Sequence, residues 1–95
     1  MDRRKAYEEK IEAQLQEWSA KIALFDAKAS VAKAETKIEY YKTIDHLRGR
    51  QSAARTKLQE LVDAGDEAWE DLKIGAENVW TDVKATFHSA DARFK

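Results

Sequence analysis

The stretch LVDAGDEAWEDL, residues 61–72, contains the strongest helix-ending signal in the chain. An apolar cluster is followed by Gly65, a residue that can adopt the left-handed conformation found at many helix ends. Asp66 then stands where a side chain can cap a new helix, and the acidic residues after it suit the positive end of the helix dipole. The sequence therefore predicts a turn at about residues 63–66, with one unbroken helix through this point as the alternative.

The composition indicates that the chain is helical throughout. Its 95 residues include no proline and three glycines, so few residues interrupt a helix. Charged residues make up 37% of the chain, as in long helices and coiled coils, and no segment alternates with the period of a strand. We therefore expect an all-α fold in a single domain over residues 1–95: a long antiparallel helical hairpin or coiled coil that self-associates into a helical bundle.

Upstream of the turn, apolar or small residues recur every three or four positions, which is the spacing of one helix face. This series passes Gly49 without changing phase, and an interior glycine costs only about 1 kcal/mol. The pattern therefore predicts one helix over about residues 3–62. The series consists of Tyr7, Ile11, Leu15, Trp18, Ile22, Phe25, Ala29, Ala32, Thr36, Tyr40, Ile44, Leu47, Gln51, Ala54, Leu58 and Leu61.

A second apolar stripe crosses the middle of this predicted helix. Leu24, Val31 and Ile38 are seven residues apart, with alanines and Tyr41 beside them. A helix that is apolar on two faces usually contacts two neighbours, and alanines allow a close approach of backbones. The sequence therefore places the densest contacts between residues 20 and 41.

Downstream of the turn, the segment WEDLKIGAENV at residues 69–79 is followed by the similar segment WTDVKATFHSA at residues 80–90. Eleven residues make about three helical turns, so Trp80 falls on the same face as Trp69. The repeat therefore predicts an amphipathic helix over about residues 66–93 with one aromatic stripe.

Self-association is expected because these stripes exceed what a two-helix hairpin can bury. A helix of about 28 residues is about 42 Å long and covers only half of a helix near 90 Å. The partner is therefore predicted to be a second copy of the chain, with another protein as a further possibility. The residues assigned to this interaction stripe are Trp18, Ile22, Phe25, Leu58, Leu61, Trp69, Leu72, Val79, Trp80, Val83 and Phe87.

Charge is unevenly distributed, although the net charge is only −1. Residues 1–57 contain 13 Lys and Arg against 9 Asp and Glu, whereas residues 58–95 contain 4 against 9. The two parts are therefore near +4 and −5, which predicts that they face each other within one chain or between chains. Solvated faces of unequal sign are the alternative interpretation.

The sequence contains no catalytic constellation. There is no cysteine, and His46 and His88 do not form the two-histidine helical pair of zinc proteases. A glycine-rich phosphate loop and a serine nucleophile elbow are also missing, so we expect no enzymatic activity, no cofactor and no metal. Basic residues alternate with acidic ones, which argues against nucleic-acid binding. With no signal peptide and no long apolar run, a cytoplasmic location is expected.

Reversible binding to lipid or another apolar surface is the alternative function. Trp69, Trp80 and Phe87 share one helix face, as the anchors of interfacial helices do. Against this hypothesis, the opposite face is rich in carboxylates, which anionic headgroups would repel. Packing of the aromatic stripe into a protein core is therefore the favoured interpretation.

The segments YEEKIEAQLQEWSAKIALFDAKA (residues 7–29) and DEAWEDLKIGAENVWTDVKATFHSADARFK (residues 66–95) resemble a family of small bacterial coiled-coil proteins. The shared features are a Met-x-Arg-Arg start, a Leu-x-x-Trp segment at residues 15–18, an Ala/Lys-rich helix and a closing Trp-Glu-Asp-Leu-Lys repeat. That family is associated with stress response and has no established enzymatic activity. The resemblance implies a non-enzymatic interaction or scaffold protein.

Overall fold

A computed structural model describes residues 3–94 of the chain. Over these residues the chain forms three α-helices and no strand: α1 at Arg3–Ser30, α2 at Ala34–Asp63 and α3 at Asp66–Arg93. The predicted all-α class is confirmed. The chain measures 51 × 21 × 19 Å, so helices of about 42–45 Å lie side by side as a bundle.

Contacts along α2 show that it is antiparallel to both neighbours. Phe25, near the end of α1, packs against Tyr40, near the start of α2, with ring centroids 6.4 Å apart. Arg93, at the end of α3, forms an ion pair with Glu39, near the start of α2. Helices that meet end to start in this way run in opposite directions.

α1 and α3 are parallel, and aromatic rings fix their register. Tyr7 meets Trp69 edge-on at 5.6 Å between ring centroids, and Trp18 lies 4.5 Å from Trp80. In both pairs the partners are separated by the same number of residues, because the eleven-residue spacing of the two tryptophans in α3 matches the spacing of Tyr7 and Trp18 in α1. The repeat in α3 therefore places its two tryptophans against two aromatic residues of α1 at matching positions.

The single helix predicted over residues 3–62 is wrong, because the chain turns at residues 31–33 and divides that segment into α1 and α2. One continuous helix of this length would be about 90 Å long, and α3 could cover only half of its apolar stripe. Folding back at the middle places three helices of nearly equal length around one core. The apolar pattern of the sequence continues through the turn without a break. The helix ends there because folding back buries more of the apolar stripe than one long helix could.

Local hydrogen bonds close α1 at this turn. The Ser30 hydroxyl donates to the Ala27 carbonyl, and the Val31 N–H donates to the carbonyl of Lys28, three residues back. Bonds of this kind tighten the last turn of a helix and satisfy its free carbonyls. Lys33, the N-cap of α2, is extended at φ −66° and ψ 156°. The turn contains no glycine or proline, so the sequence pattern does not predict it.

The second turn was predicted correctly in position, since α2 ends at Asp63 and α3 begins at Asp66. The predicted left-handed glycine is wrong. Gly65 has φ −72° and ψ 160°, and it is Gly65, not Asp66, that occupies the N-cap position of α3.

The side chain of Arg4 takes the place of a left-handed cap at the end of α2. Its guanidinium donates hydrogen bonds to the carbonyl oxygens of Leu61, Val62 and Ala64 at 2.8, 3.1 and 2.6 Å. It also donates to Asp66 Oδ1 at 3.0 Å. A left-handed residue would satisfy such carbonyls with backbone N–H groups. Because Arg4 supplies these donors, the turn can remain extended.

The core follows the predicted stripe along the whole bundle. Every member of the predicted upstream series is buried or half-buried except Thr36, which lies in the first turn of α2. Gln51 is the buried polar member, and its amide donates to the Leu15 carbonyl at 3.1 Å and to Ser19 Oγ at 2.6 Å. These bonds compensate the loss of its hydration.

The second stripe does not make the dense contacts predicted for it. Leu24, Val31 and Ile38 are 52%, 86% and 56% exposed, and the alanines at positions 20, 27 and 34 are exposed as well. Each helix of a three-helix bundle needs one apolar face to reach the core, and that face is already supplied by the first stripe. The second stripe is therefore left on the outside.

Candidate interaction surface

The aromatic stripe of α3 packs into the interior of its own chain. The Trp18 ring stacks on the Phe87 ring, with centroids 5.3 Å apart and planes 10° apart. The Trp80 ring packs against the same Trp18 ring. Trp69 is 6% exposed and contacts Tyr7 at the other end of the bundle. These rings bridge α1 and α3 as core residues do.

All eleven residues of the predicted interaction stripe lie in this core or against it. Packing of the stripe into a protein core is therefore confirmed, but the covering helices belong to the same chain. The structure contains no 90 Å helix whose apolar surface a second copy would have to cover, so self-association stays a prediction. The buried members are Trp18, Ile22, Phe25, Leu61, Trp69, Val83 and Phe87, and the half-buried members are Leu58, Leu72, Val79 and Trp80.

Exposed apolar side chains concentrate at the end of the bundle where α1 turns into α2. Six large apolar side chains are exposed in the described part of the chain, and four of them fall between residues 24 and 41. They lie within about 11 Å of the turn along the helix axes, at the rise of an α-helix. We call these four residues the tip patch: Leu24, Val31, Ile38 and Tyr41.

Four lysines lie in the same part of the chain as the tip patch, at positions 28, 33, 37 and 42. Within residues 3–94, none of them lies within 4 Å of a carboxylate oxygen as part of an ion pair. Of the three acidic residues in the same region, Glu39 is held by Arg93 at the end of α3. Counting Arg93 and the Lys21–Asp91 ion pair, this end of the bundle has six basic and four acidic residues and a net charge of +2.

The opposite end has an acidic segment. Residues 58–72 include six Asp and Glu and no Lys or Arg. The predicted attraction between the basic and acidic parts of the sequence is confirmed within one chain. Of the four ion pairs between different helices in the described residues, three join a cation from residues 1–57 to a carboxylate from residues 58–95: Arg4–Asp66, Lys21–Asp91 and Arg50–Asp82.

Two open grooves between helices contain the histidines. His46 lines a groove of about 380 Å³ between α2 and α3 together with Thr43 and Ser89. His88 lines a groove of about 470 Å³ between α1 and α3, above Trp18. Neither histidine belongs to a group of three His, Cys, Asp or Glu residues that could hold a metal ion, and residues 3–94 contain no such group.

None of the helices in residues 3–94 is long and apolar enough to cross a membrane. Comparisons with protein-family models, with curated proteins and with solved structures found no match. The surface chemistry of the chain itself is therefore the basis for a functional proposal.

Sequence reasoning found the members of the tip patch but gave them the wrong role. The sequence pattern predicts a second apolar stripe that contacts another helix, formed by Leu24, Val31, Ile38 and Tyr41. The available signal was that this stripe runs on a different face from the longer core stripe. When one apolar face of a helix already packs into the core, a second apolar face that no other helix of the chain covers is a candidate for contact with another molecule.

Proposed function

We propose that this protein is a non-enzymatic interaction protein of a bacterial stress response, and that it acts by presenting its outer surface to a partner. The tip patch is the observation that supports this proposal most directly. Single exposed apolar residues are ordinary, but four of six gathered at one end of a small bundle form a contact surface.

The organisation of the core supports the same proposal. The main apolar face of every helix is already covered within the chain, so a partner has to be met by side chains on the outside. A rigid bundle that offers such a surface, without a built catalytic site, works as a binding or scaffold module. A cytoplasmic location and a second copy of the chain as one partner remain parts of this proposal.

Site-specific crosslinking in cells tests the proposal. Because the sequence contains no cysteine, a single introduced cysteine can be labelled uniquely. A photocrosslinker at Ile38→Cys, in the tip patch, is compared with one at Ile74→Cys, an equally exposed isoleucine on α3. We expect crosslinked products that depend on stress from position 38 and not from position 74. Identical products from both positions, or no crosslink to protein or to lipid from either, would refute an interaction role for the tip patch.

Self-association is tested separately by sedimentation equilibrium of the purified chain. A concentration-dependent dimer that is weakened by Ile38→Ser and unaffected by Ile74→Ser would make the second copy a partner at the tip patch. A stable monomer at micromolar concentrations would remove the second copy and leave other partners in place.

A further inference from the structure

We infer that the tip patch docks end-on onto an anionic lipid surface, which gives the proposed interaction function its partner class and rests on that function. The inference starts from the composition of this end of the bundle. Aliphatic side chains and a tyrosine stand beside lysines there, and this is the combination found in protein segments that insert shallowly between anionic headgroups.

The shape of the tip patch favours a membrane over a groove in another protein. Val31, at 86% exposure, stands on the turn itself, whereas Leu24 and Ile38 lie on different helices on either side of it. The patch therefore extends over two helices and the turn between them, at the end of a bundle whose two short dimensions are 21 and 19 Å. An apolar patch at the end of a bundle fits a deformable surface, whereas helix grooves accept a linear stripe.

The depth of the patch also agrees with interfacial binding. Its four side chains lie within about 11 Å of the turn, and amphipathic segments insert about 5–10 Å into the boundary between headgroups and acyl chains. Lysines at positions 28, 33 and 37 can extend their long stems along the apolar side chains and keep their ammonium groups among phosphates. Tyr41, at 42% exposure, has the polar and apolar parts of an interfacial residue.

The charges of the whole bundle favour this orientation. The tip end has a net charge of +2, and its lysines at positions 28, 33, 37 and 42 form no ion pair within residues 3–94. Residues 58–72, at the other end, are acidic and would be repelled by the same surface. An anionic membrane therefore attracts the tip and turns the acidic segment away.

This docking differs from insertion of the aromatic stripe. Trp18 and Trp69 are 3% and 6% exposed in the core, and Trp18 is about 18 Å below the turn by the helical rise. The bundle can dock without opening, so the tryptophans stay in their present surroundings. Tryptophan emission therefore distinguishes docking by the tip from unfolding of the bundle onto lipid.

Vesicle flotation of the full chain provides the test. The chain is mixed with vesicles of phosphatidylcholine alone and with vesicles that contain about one-third phosphatidylserine, at low and at physiological salt. We expect flotation with the anionic vesicles only, and a decrease as salt rises. The wild-type tryptophan emission maximum should not shift on binding.

Matched variants locate the contact. Ile38→Ser should reduce the vesicle-bound fraction about tenfold, whereas Ile74→Ser, the same substitution at the acidic end, should leave it unchanged. Lys33→Glu combined with Lys37→Glu should abolish binding to anionic vesicles, and Lys10→Glu, on α1 near the other end, should reduce it far less. Circular dichroism and thermal unfolding of each variant show that the bundle is intact.

Several results would overturn the inference. One is failure of the wild type to float with anionic vesicles, and another is an equal fall of the vesicle-bound fraction in the Ile38→Ser and Ile74→Ser variants. A blue shift of the wild-type tryptophan emission on binding would also contradict it. Self-association through the tip patch without vesicle binding would assign the patch to a second copy. In that case the lipid inference fails, while the proposed interaction function, tested by crosslinking at position 38, stands.

Discussion

The indole ring of Trp18 lies nearly parallel to the phenyl ring of Phe87, with planes 10° apart and centroids 5.3 Å apart, and this stack joins α1 to α3. α1 and α3 approach each other mainly through such rings. The register of the two parallel helices therefore depends on a few large side chains, and truncating one of them should be costly.

Trp18→Ala is expected to lower the free energy of unfolding by about 4 kcal/mol, because Trp18 is 3% exposed and its removal leaves a large cavity beneath Phe87. Trp80→Ala should cost about half as much, since Trp80 is only half-buried and water can fill the space it leaves. Urea denaturation followed by circular dichroism measures both values. Equal losses in the two variants would contradict the difference in burial between Trp18 and Trp80 as the cause.

Arg4→Lys is expected to destabilise the chain by about 1–2 kcal/mol, although it keeps the positive charge. A lysine ammonium cannot reproduce the fork in which Nη2 donates to the carbonyls at the end of α2 while Nη1 pairs with Asp66 and Nε with Glu8. Arg55→Lys is the control, because Arg55 is exposed and forms no ion pair in residues 3–94. Faster amide exchange at the end of α2 in the Arg4 variant alone would confirm the capping role, and unchanged exchange there would exclude it.

Gly49→Ala is expected to stabilise the protein by about 1 kcal/mol. Gly49 lies inside α2, a Cβ at this position meets nothing within 4 Å, and alanine loses less backbone entropy than glycine on folding. Gly65→Ala should lack this gain, because Gly65 is the N-cap of α3, where alanine is unfavourable. Thermal unfolding compares the two variants, and a neutral or destabilised Gly49→Ala would point to a contact outside the chain at that site.

The Tyr7 hydroxyl should titrate at higher pH than an ordinary tyrosine. Burial of the phenol raises the pKa of Tyr7, and the nearby Glu77 carboxylate raises it further. A pKa raised in the folded state means that its contribution to stability is present below pH 10 and is lost as the pH rises through the folded value. The free energy of unfolding should therefore fall more steeply above pH 10 in the wild type than in Tyr7→Phe.

Ultraviolet titration of the phenols checks this directly. Glu77→Gln should lower the pKa of Tyr7 by removing one of its two causes, while burial keeps part of the shift. A tyrosine titration that Glu77→Gln leaves unaltered would mean that burial alone determines the shift. The Lys73 ammonium, 4.9 Å from the centre of the Tyr7 ring, is present in all of these variants.

The sequence by itself determined the helical class, the turn near residues 63–66 and the residues of the core. These features are local or periodic: Gly65 precedes a run of acidic residues, and the core stripe recurs with the period of one helix face. The eleven-residue repeat likewise predicted that Trp69 and Trp80 would share a face, and both lie in or against the core. Each of these signals acts within a few helical turns.

Tertiary structure alone decided that residues 31–33 form a turn and that Arg4 caps the end of α2. The sequence around Val31 suits a continuous helix, and the turn forms because folding back covers apolar surface that one long helix would expose. Arg4 meets Leu61 only after the chain has reversed direction at residues 31–33. The turn at residues 31–33 also decides that Leu24 and Ile38 are exposed. The burial of a helix face depends on where distant helices pack, and the spacing of its apolar residues does not determine it.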